Sequence, residues 1–399
     1  MVETSRKVRV LRDHVRVLRE NCLGQCKLRV HRETVVADAL AEMARKPAAE
    51  LVRSGYPRQL IHLSHWCAAP RFYFIFFLSQ IKPLSVSFAD EAGVDAGGLA
   101  AEMLFLVFTQ LCAAEGAPAG VPTALFECAG DGEGMPTFLP TKDDSSDDEE
   151  VMAYYEGVGR LLVRCIIDQR PVPVRFAPSF YKFLLHLPVN LHDFDAFDFQ
   201  QASNVRKVLT MPPEEVEFLG MSFADLGQED ESVCAANRER YVDEYVRQAL
   251  VRSRKKKLRA VRKGFEAAPG VVAHIRLFSY IELMRLLSAQ QNISPEQLVE
   301  HVRFQGFHNG AFPDIVRQIL LQFTAEQVQR FLLFSTASVS LPPRSRPITF
   351  VRAQRADLLP VAHTCFNRID MPEPDTEEQV RQGLVHALSY LEESGFGIA

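Results

Sequence analysis

Cys365 stands apart from the other seven cysteines of the sequence. It sits in the polar stretch LLPVAHTCFNRIDMP, bounded by prolines, with Thr364 beside it and His363 two residues ahead. A structural cysteine is normally folded into an apolar stripe, which is what the periodicity predicts for Cys112 and Cys165. A thiol in a polar loop near an imidazole has the setting of a nucleophile. The thiolate is the reactive form, and an ordinary thiol of pKa about 8.5 is only a few per cent ionised at neutral pH. His-x-Cys spacing also arises by chance, so a plain loop cysteine is the competing reading of these residues.

Other candidates are weaker. AGDGEG at 129–134 lacks both the Gly-Lys-Ser/Thr ending and the preceding strand of a phosphate loop. His62, His65 and Cys67, even joined by Cys22 and Cys26, lack the two tight pairs of a structural zinc site. Neither a metal nor a cofactor is therefore expected. The basic run RSRKKKLRAVRK at 252–263 could serve nuclear import or an acidic partner. The commoner arrangement is the wet face of a helix, with Leu258, Val261 and Phe265 turned inward. Ser145 and Ser146, within the acidic run DDSSDDEE, are phosphorylation candidates or part of a solvated loop.

These residues must be held by a chain of 399 residues that is 47% hydrophobic and 24% charged, ordinary for a globular protein of two or three domains or lobes. Its formal net charge of −5 gives no support to a nucleic-acid binder. Eight irregularly spaced cysteines point to a reducing compartment rather than a disulfide framework. The N-terminus carries no signal-peptide core, and the most apolar patch, around 72–78, is too short to span a bilayer. No membrane partner follows, and the cytoplasm or nucleus is the expected location.

Val8, Leu11, Val15 and Leu18 predict an opening amphipathic helix. A strand at 27–31, a helix at 34–44, a strand at 84–88 and a helix at 99–112 follow, with 57–83 unassigned. The Gly/Pro-rich stretch 113–150 reads as connecting chain ending in an acidic loop, 129–150. Helices are predicted at 151–168, 180–187 and 194–209, and one or two at 239–265. Further on, helices at 314–321 and 324–334, a strand at 348–351, a loop around AHTCFN and a last helix are expected. Thr324 with Gln327 and Thr376 with Gln379 offer capping boxes for two of these. Val380, Leu384, Leu388 and Leu391 form the last helix's stripe, with Gly395 as its stop. The class is α+β, without internal repeats.

LP-x-AHTCFN-x-I-x-MP, together with the ending GFG-x-A, resembles the C-terminal lobe of HECT-type ubiquitin ligases. Phe88, Glu91, Gly93, Asp95, Gly97, Gly98 and Glu102 fit that family's F-x-x-E-x-G-x-D-x-GG-x-x-x-E. Gly159 and Arg160 fit its GR helix, and PSFYKFLL at 178–185 the segment after it. Asn237 to Val242 resembles its N-R-x-x-Y-V, RKGF at 262–265 its R-x-GF, and FLLFSTASVSLP its FL-x-F-x-TG-x-x-x-P. The order is right throughout, from about Lys7 to Ala399.

The resemblance implies a bilobal HECT domain: a large, mostly helical N-lobe (1–303), a flexible hinge (304–308, with Gly306 supplying freedom) and a small α/β C-lobe (309–399). The N-lobe would recruit a ubiquitin-charged conjugating enzyme. Ubiquitin would pass to Cys365 as a thioester and then to a substrate lysine, feeding protein ubiquitination and proteasomal degradation. Thiol-to-thioester exchange is nearly isoenergetic and amide formation runs downhill, so no nucleotide site is needed. His363 and Thr364 would shape the thiol's surroundings or stabilise the tetrahedral oxyanion. Of two readings of His363, holding the loop is favoured over acting as a base. Phe396 would position the acceptor lysine. The choice among Asp357, Asp370, Glu373 and Asp375 as its base stays open. A HECT-like module that only binds ubiquitin or a conjugating enzyme is the alternative. A cysteine hydrolase using His363 is a third, weaker reading.

The chain departs from the family pattern in several places. Residues 51–82 resemble an insertion, Ala101 replaces an arginine, Val163 and Arg164 replace a glycine-bearing turn, and Ala337 replaces a glycine. The tryptophan-rich segment after the hinge is absent. Residues 219–237, in the subdomain that grips the conjugating enzyme, are shortened, so the enzyme recruited stays open. Recognition domains usually precede the catalytic part, so the substrate is expected to be chosen by a segment outside this chain or by an adaptor.

Overall fold

The computed structural model describes residues 2–20, 24–46, 52–55, 78–89, 91, 98–113, 116–129, 136–144, 148–288, 293–342, 344, 346–353, 359–374 and 376–393. Side chains of residues 2, 3, 20, 52–55, 78–81, 365 and 390–393 are outside that description.

Amphipathic spacing sets the first elements as predicted. Helix Val2–Glu20 buries Leu11, Val15 and Leu18. Strand Cys26–Val30 alternates buried and exposed, and pairs in parallel with Leu84–Phe88 beneath helix Val35–Arg45. The stretch resembling an insertion begins and ends in strands Val52–Gly55 and Leu78–Ile81, paired antiparallel, so its two ends leave the domain side by side. His62, His65 and Cys67 lie between them, outside the described residues.

The opening helix is clasped by Glu282, whose carboxylate accepts from Thr4 Oγ1 at 2.6 Å, from the Ser279 N–H at 2.8 Å and from Lys7 Nζ at 3.0 Å. Thr4, the Ser279 N–H and Lys7 together hold its pKa down to about 2. A depressed carboxylate stabilises the fold above its unfolded pKa of about 4.3, and that contribution disappears as pH falls from there towards 2. Glu282→Gln is expected to lower Tm by about 2–4 °C at pH 7, the scale of a lost helix cap. Thermal melts should show the gap between parent and variant closing below pH 4; a gap constant from pH 7 to 3 would reject the clasp.

Helices Glu149–Asp168 and Lys255–Phe265 cross at the centre of the first core, which extends from Leu11 to Leu287. They meet on glycines. A Cβ built on Gly159 would lie 1.9 Å from the Val261 carbonyl oxygen, and one on Gly264 would lie 1.9 Å from that of Glu156. Next to Gly159, buried Arg160 donates to the Met43 carbonyl at 2.8 Å, to the Lys46 carbonyl and to Glu156. It thereby satisfies carbonyls left unpaired at the end of helix Val35–Arg45.

The stretch read as connecting chain and acidic loop contains more order than expected. Phe126–Cys128 and Phe138–Pro140 pair as antiparallel strands. Within the expected 129–150 loop, Asp148 caps helix Glu149–Asp168 through the Val151 N–H, and Glu149 and Glu150 form the helix's first turn. Carboxylates are favoured there because helix N-terminal N–H groups lack partners.

The basic run also differs from a wholly wet face. Leu258, Val261 and Phe265 turn inward as predicted, but Arg254 and Lys257 are buried too. Arg254 donates to Glu127 and to the carbonyls of Pro140 and Ala249. Lys257 donates to Thr141 Oγ1 and the Lys142 carbonyl. Both tie the helix to the Phe138–Pro140 strand, so neither is available to an import receptor.

The predicted 194–209 helix is two, Leu191–Asp195 and Phe199–Thr210, each with an Asn or Asp cap. A small satellite core of Val216, Phe223, Leu226, Val233 and Tyr241 follows. A further core, from Ile293 to Leu388, surrounds a sheet ordered 302–305, 348–352, 368–371, 361–363. Its first three strands are parallel, and 361–363 is antiparallel to 368–371. The segment expected to be a hinge begins inside this sheet: Phe304 and Gln305 pair with Phe350 and Val351. Gly306 takes φ of 80°, a left-handed conformation that favours glycine.

Helix Ala325–Thr336 has the predicted capping box and ends on Ala337 at φ 53°. Alanine in that left-handed conformation costs about 1 kcal/mol relative to the glycine of the resembled motif.

Candidate active site

The Cys365 loop is a tight hairpin. Strands Val361–His363 and Arg368–Met371 pair His363 with Arg368, and a 3-10 turn, Thr364–Phe366, joins them. Cys365 occupies the middle of that turn. Phe366 beside it is 66% exposed, an unusual state for an aromatic side chain.

Asn367 shapes the tip. It closes the turn at φ 51°, a conformation that Asn tolerates better than most residues. Its N–H donates to the Thr364 carbonyl at 3.3 Å and its Nδ2 to the Arg346 carbonyl at 2.9 Å. Its own carbonyl accepts from the Thr349 N–H at 2.8 Å. The turn is thereby pinned to the start of the neighbouring strand. Helix Ala325–Thr336 and helix Gly98–Leu111 both pack against it.

Strand alternation gives the hairpin two faces. Ala362 and Ile369 turn towards the core, while Val361, His363, Arg368 and Asp370 share the outer face. His363 Nε2 lies 3.1 Å from Asp370 Oδ2, and Asp370 Oδ1 accepts from Arg368 Nε at 2.5 Å.

Among the four acids considered from the sequence, Asp370 alone of the two described faces this turn. Glu373 accepts instead from the N–H groups of His308 and Asn309 and from Arg352 Nε. Desolvation raises its pKa, but the Asn309 and His308 N–H groups and Arg352 outweigh that and hold it below the usual carboxylate range. It clasps the segment after Gly306. Asp357, Asp375 and Phe396 lie outside the described residues.

His363 ends the strand that leads into the turn, and Thr364 opens the turn whose middle residue is Cys365. Asn367 and the Asp370–His363 pair were not singled out. An Asn closing the turn after Cys365 was the available signal for the first, and alternation across a short hairpin for the second. Cys112 and Cys165, assigned to the core, are buried, and desolvation pushes both thiols far up, leaving them unreactive. Among the described residues no group of three His, Cys, Asp or Glu could hold a metal, and no helix is long and apolar enough to cross a membrane.

Residues 123–399 match the family model described as HECT-domain (ubiquitin-transferase). A Dictyostelium discoideum protein named bifunctional serine/threonine-protein kinase/NEDD4-like E3 ubiquitin-protein ligase is 30% identical over 60% of this chain and 13% of its own length. E3 ubiquitin-protein ligase RSP5 of Chaetomium thermophilum is 25% identical over 94% of this chain and 43% of its own. E3 ubiquitin-protein ligase UPL1 of Arabidopsis thaliana is 26% identical over 79% of this chain and 9% of its own. The chain spans less than half the length of each of these relatives.

Proposed function

The chain belongs to the HECT-domain (ubiquitin-transferase) family, and on that premise we propose that it is a ubiquitin-protein ligase working through a thioester on Cys365. One observation carries the assignment of the cysteine: within the matched residues, Cys365 stands in the turn at the tip of a pinned hairpin, whereas Cys165 is buried and inert, exposed Cys128 ends the short strand Phe126–Cys128, and half-buried Cys234 follows Val233 of the satellite core. The sulfur attacks the thioester carbonyl of a charged conjugating enzyme, and a lysine amine then displaces it. Both steps depend on bringing reacting groups together, which binding energy supplies without nucleotide hydrolysis.

The domain works as two lobes. Strand Val302–Gln305, built into the C-terminal sheet, and the membership of Ile293 and Leu298 in the second core support a lobe boundary ahead of residue 293. The conjugating enzyme docks on the first lobe around the satellite core. Exposure of Phe218 at 91% and Leu219 at 50% beside that core supports this surface. Phe396 serves as the aromatic that positions the acceptor lysine, and protein substrates are supplied by a segment or adaptor beyond this chain.

A discharge assay tests the reading. Ubiquitin-charged conjugating enzymes, taken across a panel, are mixed with the chain and quenched without reductant. The expected product is a ubiquitin adduct on Cys365 that thiol reductants remove. Absence of such an adduct with every enzyme, alongside retained binding, would instead make this a HECT module that only binds.

A further inference from the structure

Four side chains occupy the outer face of the Cys365 hairpin, and three of them form a chain of contacts: Arg368 Nε to Asp370 Oδ1 at 2.5 Å, and Asp370 Oδ2 to His363 Nε2 at 3.1 Å. We propose that Asp370 is a positioning residue for ubiquitin transfer, holding the His363 imidazole in the tautomer that can take and return the proton of Cys365. The inference rests on the thioester reading above and adds to it the origin of the nucleophile's activation.

The argument is one of hydrogen-bond chemistry. A carboxylate only accepts, so the ring nitrogen facing Asp370 must carry hydrogen. In the neutral imidazole the lone pair then resides on Nδ1, the nitrogen nearer the main chain that reaches Cys365 two residues later. Arg368 on the second oxygen keeps the carboxylate from turning away. Glu373, the other described acid in this region, is committed to Arg352 and the main chain at 308–309. Among the described residues, the two helices packed against the turn bring these charges. Helix Gly98–Leu111 contributes Glu102, paired with Arg32, and helix Ala325–Thr336 contributes Glu326 and Arg330, paired with each other. Arg346 joins the turn through its main-chain carbonyl, which accepts from Asn367.

The steps balance. The Cys365 proton moves to His363 Nδ1 while the sulfur lone pair forms a C–S bond to the ubiquitin carbonyl carbon. The bond from that carbon to the conjugating enzyme's sulfur breaks, and that sulfur takes the proton from His363. In the second step the acceptor amine forms the C–N bond, the C–S bond to Cys365 breaks, and a proton from the amine passes through His363 to the departing sulfur.

The test measures single-turnover thioester formation on the full chain between pH 6.5 and 9, using a conjugating enzyme that charges the parent. Asp370→Asn can offer an N–H to Nε2 and so favours the wrong tautomer. At pH 7 it should slow charging by at least about tenfold, less than the ~10²–10⁴-fold that loss of a whole general base costs, because the imidazole itself remains. The deficit should shrink to about twofold near pH 9, where thiolate forms unaided. Asp370→Glu should keep most of the rate, and adding His363→Ala to Asp370→Asn should cost little more. Melting temperatures of each variant separate loss of fold from loss of function. A deficit equal at every pH would make Asp370 merely a brace for the hairpin, and a rate within twofold of the parent at pH 7 would remove its role; either overturns the proposal while the parent still charges. A parent that never charges brings down the thioester reading itself.

Discussion

Cys365→Ser is expected to convert the reducible ubiquitin adduct into one that survives thiol reductants but is cleaved by hydroxide. Cys365→Ala should form none. Oxygen in place of sulfur gives an oxyester, which reductants cannot exchange and amines attack slowly. Transfer to lysine should therefore fall at least about 10³-fold in both variants, since no neighbouring group replaces a lost nucleophile. Fold should be retained, because Asn367 and the main chain of Thr364 and Thr349 hold the turn. Quenched reactions resolved with and without reductant, with melting curves as control, read the outcome directly. Undiminished lysine modification by a folded Cys365→Ala chain would end the covalent mechanism.

Local patterns in the sequence carried much of the fold. Helices with clean apolar stripes, such as the ones bearing Leu11, Val15 and Leu18 or Val380, Leu384 and Leu388, were legible because burial repeats with the helical period. The Thr324 capping box was legible because both partners lie within three residues. What failed was non-local. Arg254 and Lys257 look like solvated charges until Glu127, Pro140, Thr141 and Lys142, more than a hundred residues upstream, are brought against them. Strands of three residues, such as Phe126–Cys128 and Phe138–Pro140, are too short to display a period. Strand Val302–Gln305 belongs to its sheet only through pairing with Ile348–Val351, a relation no local window contains. At the candidate site, the motif marks Cys365, His363 and Thr364, while the contacts of Asn367 with Arg346 and of Asp370 with His363 depend on the hairpin and its neighbours, which no local window contains.

Gly159→Ala is expected to be among the most damaging single-atom additions the chain can receive. On propensity alone the change should help, since alanine is favoured over glycine in a helix by about 1 kcal/mol. Geometry opposes it. The added Cβ would stand 1.9 Å from the Val261 carbonyl oxygen and 2.6 Å from the Phe265 nitrogen. These atoms are main chain of the facing helix, so no side chain can swing aside, and ordinary contact requires the helices to part by more than about 1 Å. Parting them also strains Gly264, packed as closely against Glu156, and Arg160, whose bonds end the Val35–Arg45 helix. Overpacking of flexible cores typically costs about 1–3 kcal/mol; a backbone collision at the crossing of two central helices belongs at or above the upper end. With total stability of about 5–15 kcal/mol, a loss near 3 kcal/mol should lower Tm by about 6–12 °C. Gly310→Ala, where a Cβ meets nothing within 4 Å, is the control and should leave the transition almost unmoved. Calorimetry of the two variants beside the parent decides the matter: a Gly159→Ala transition within about 1 °C of the parent would mean the two helices do not cross on this glycine pair.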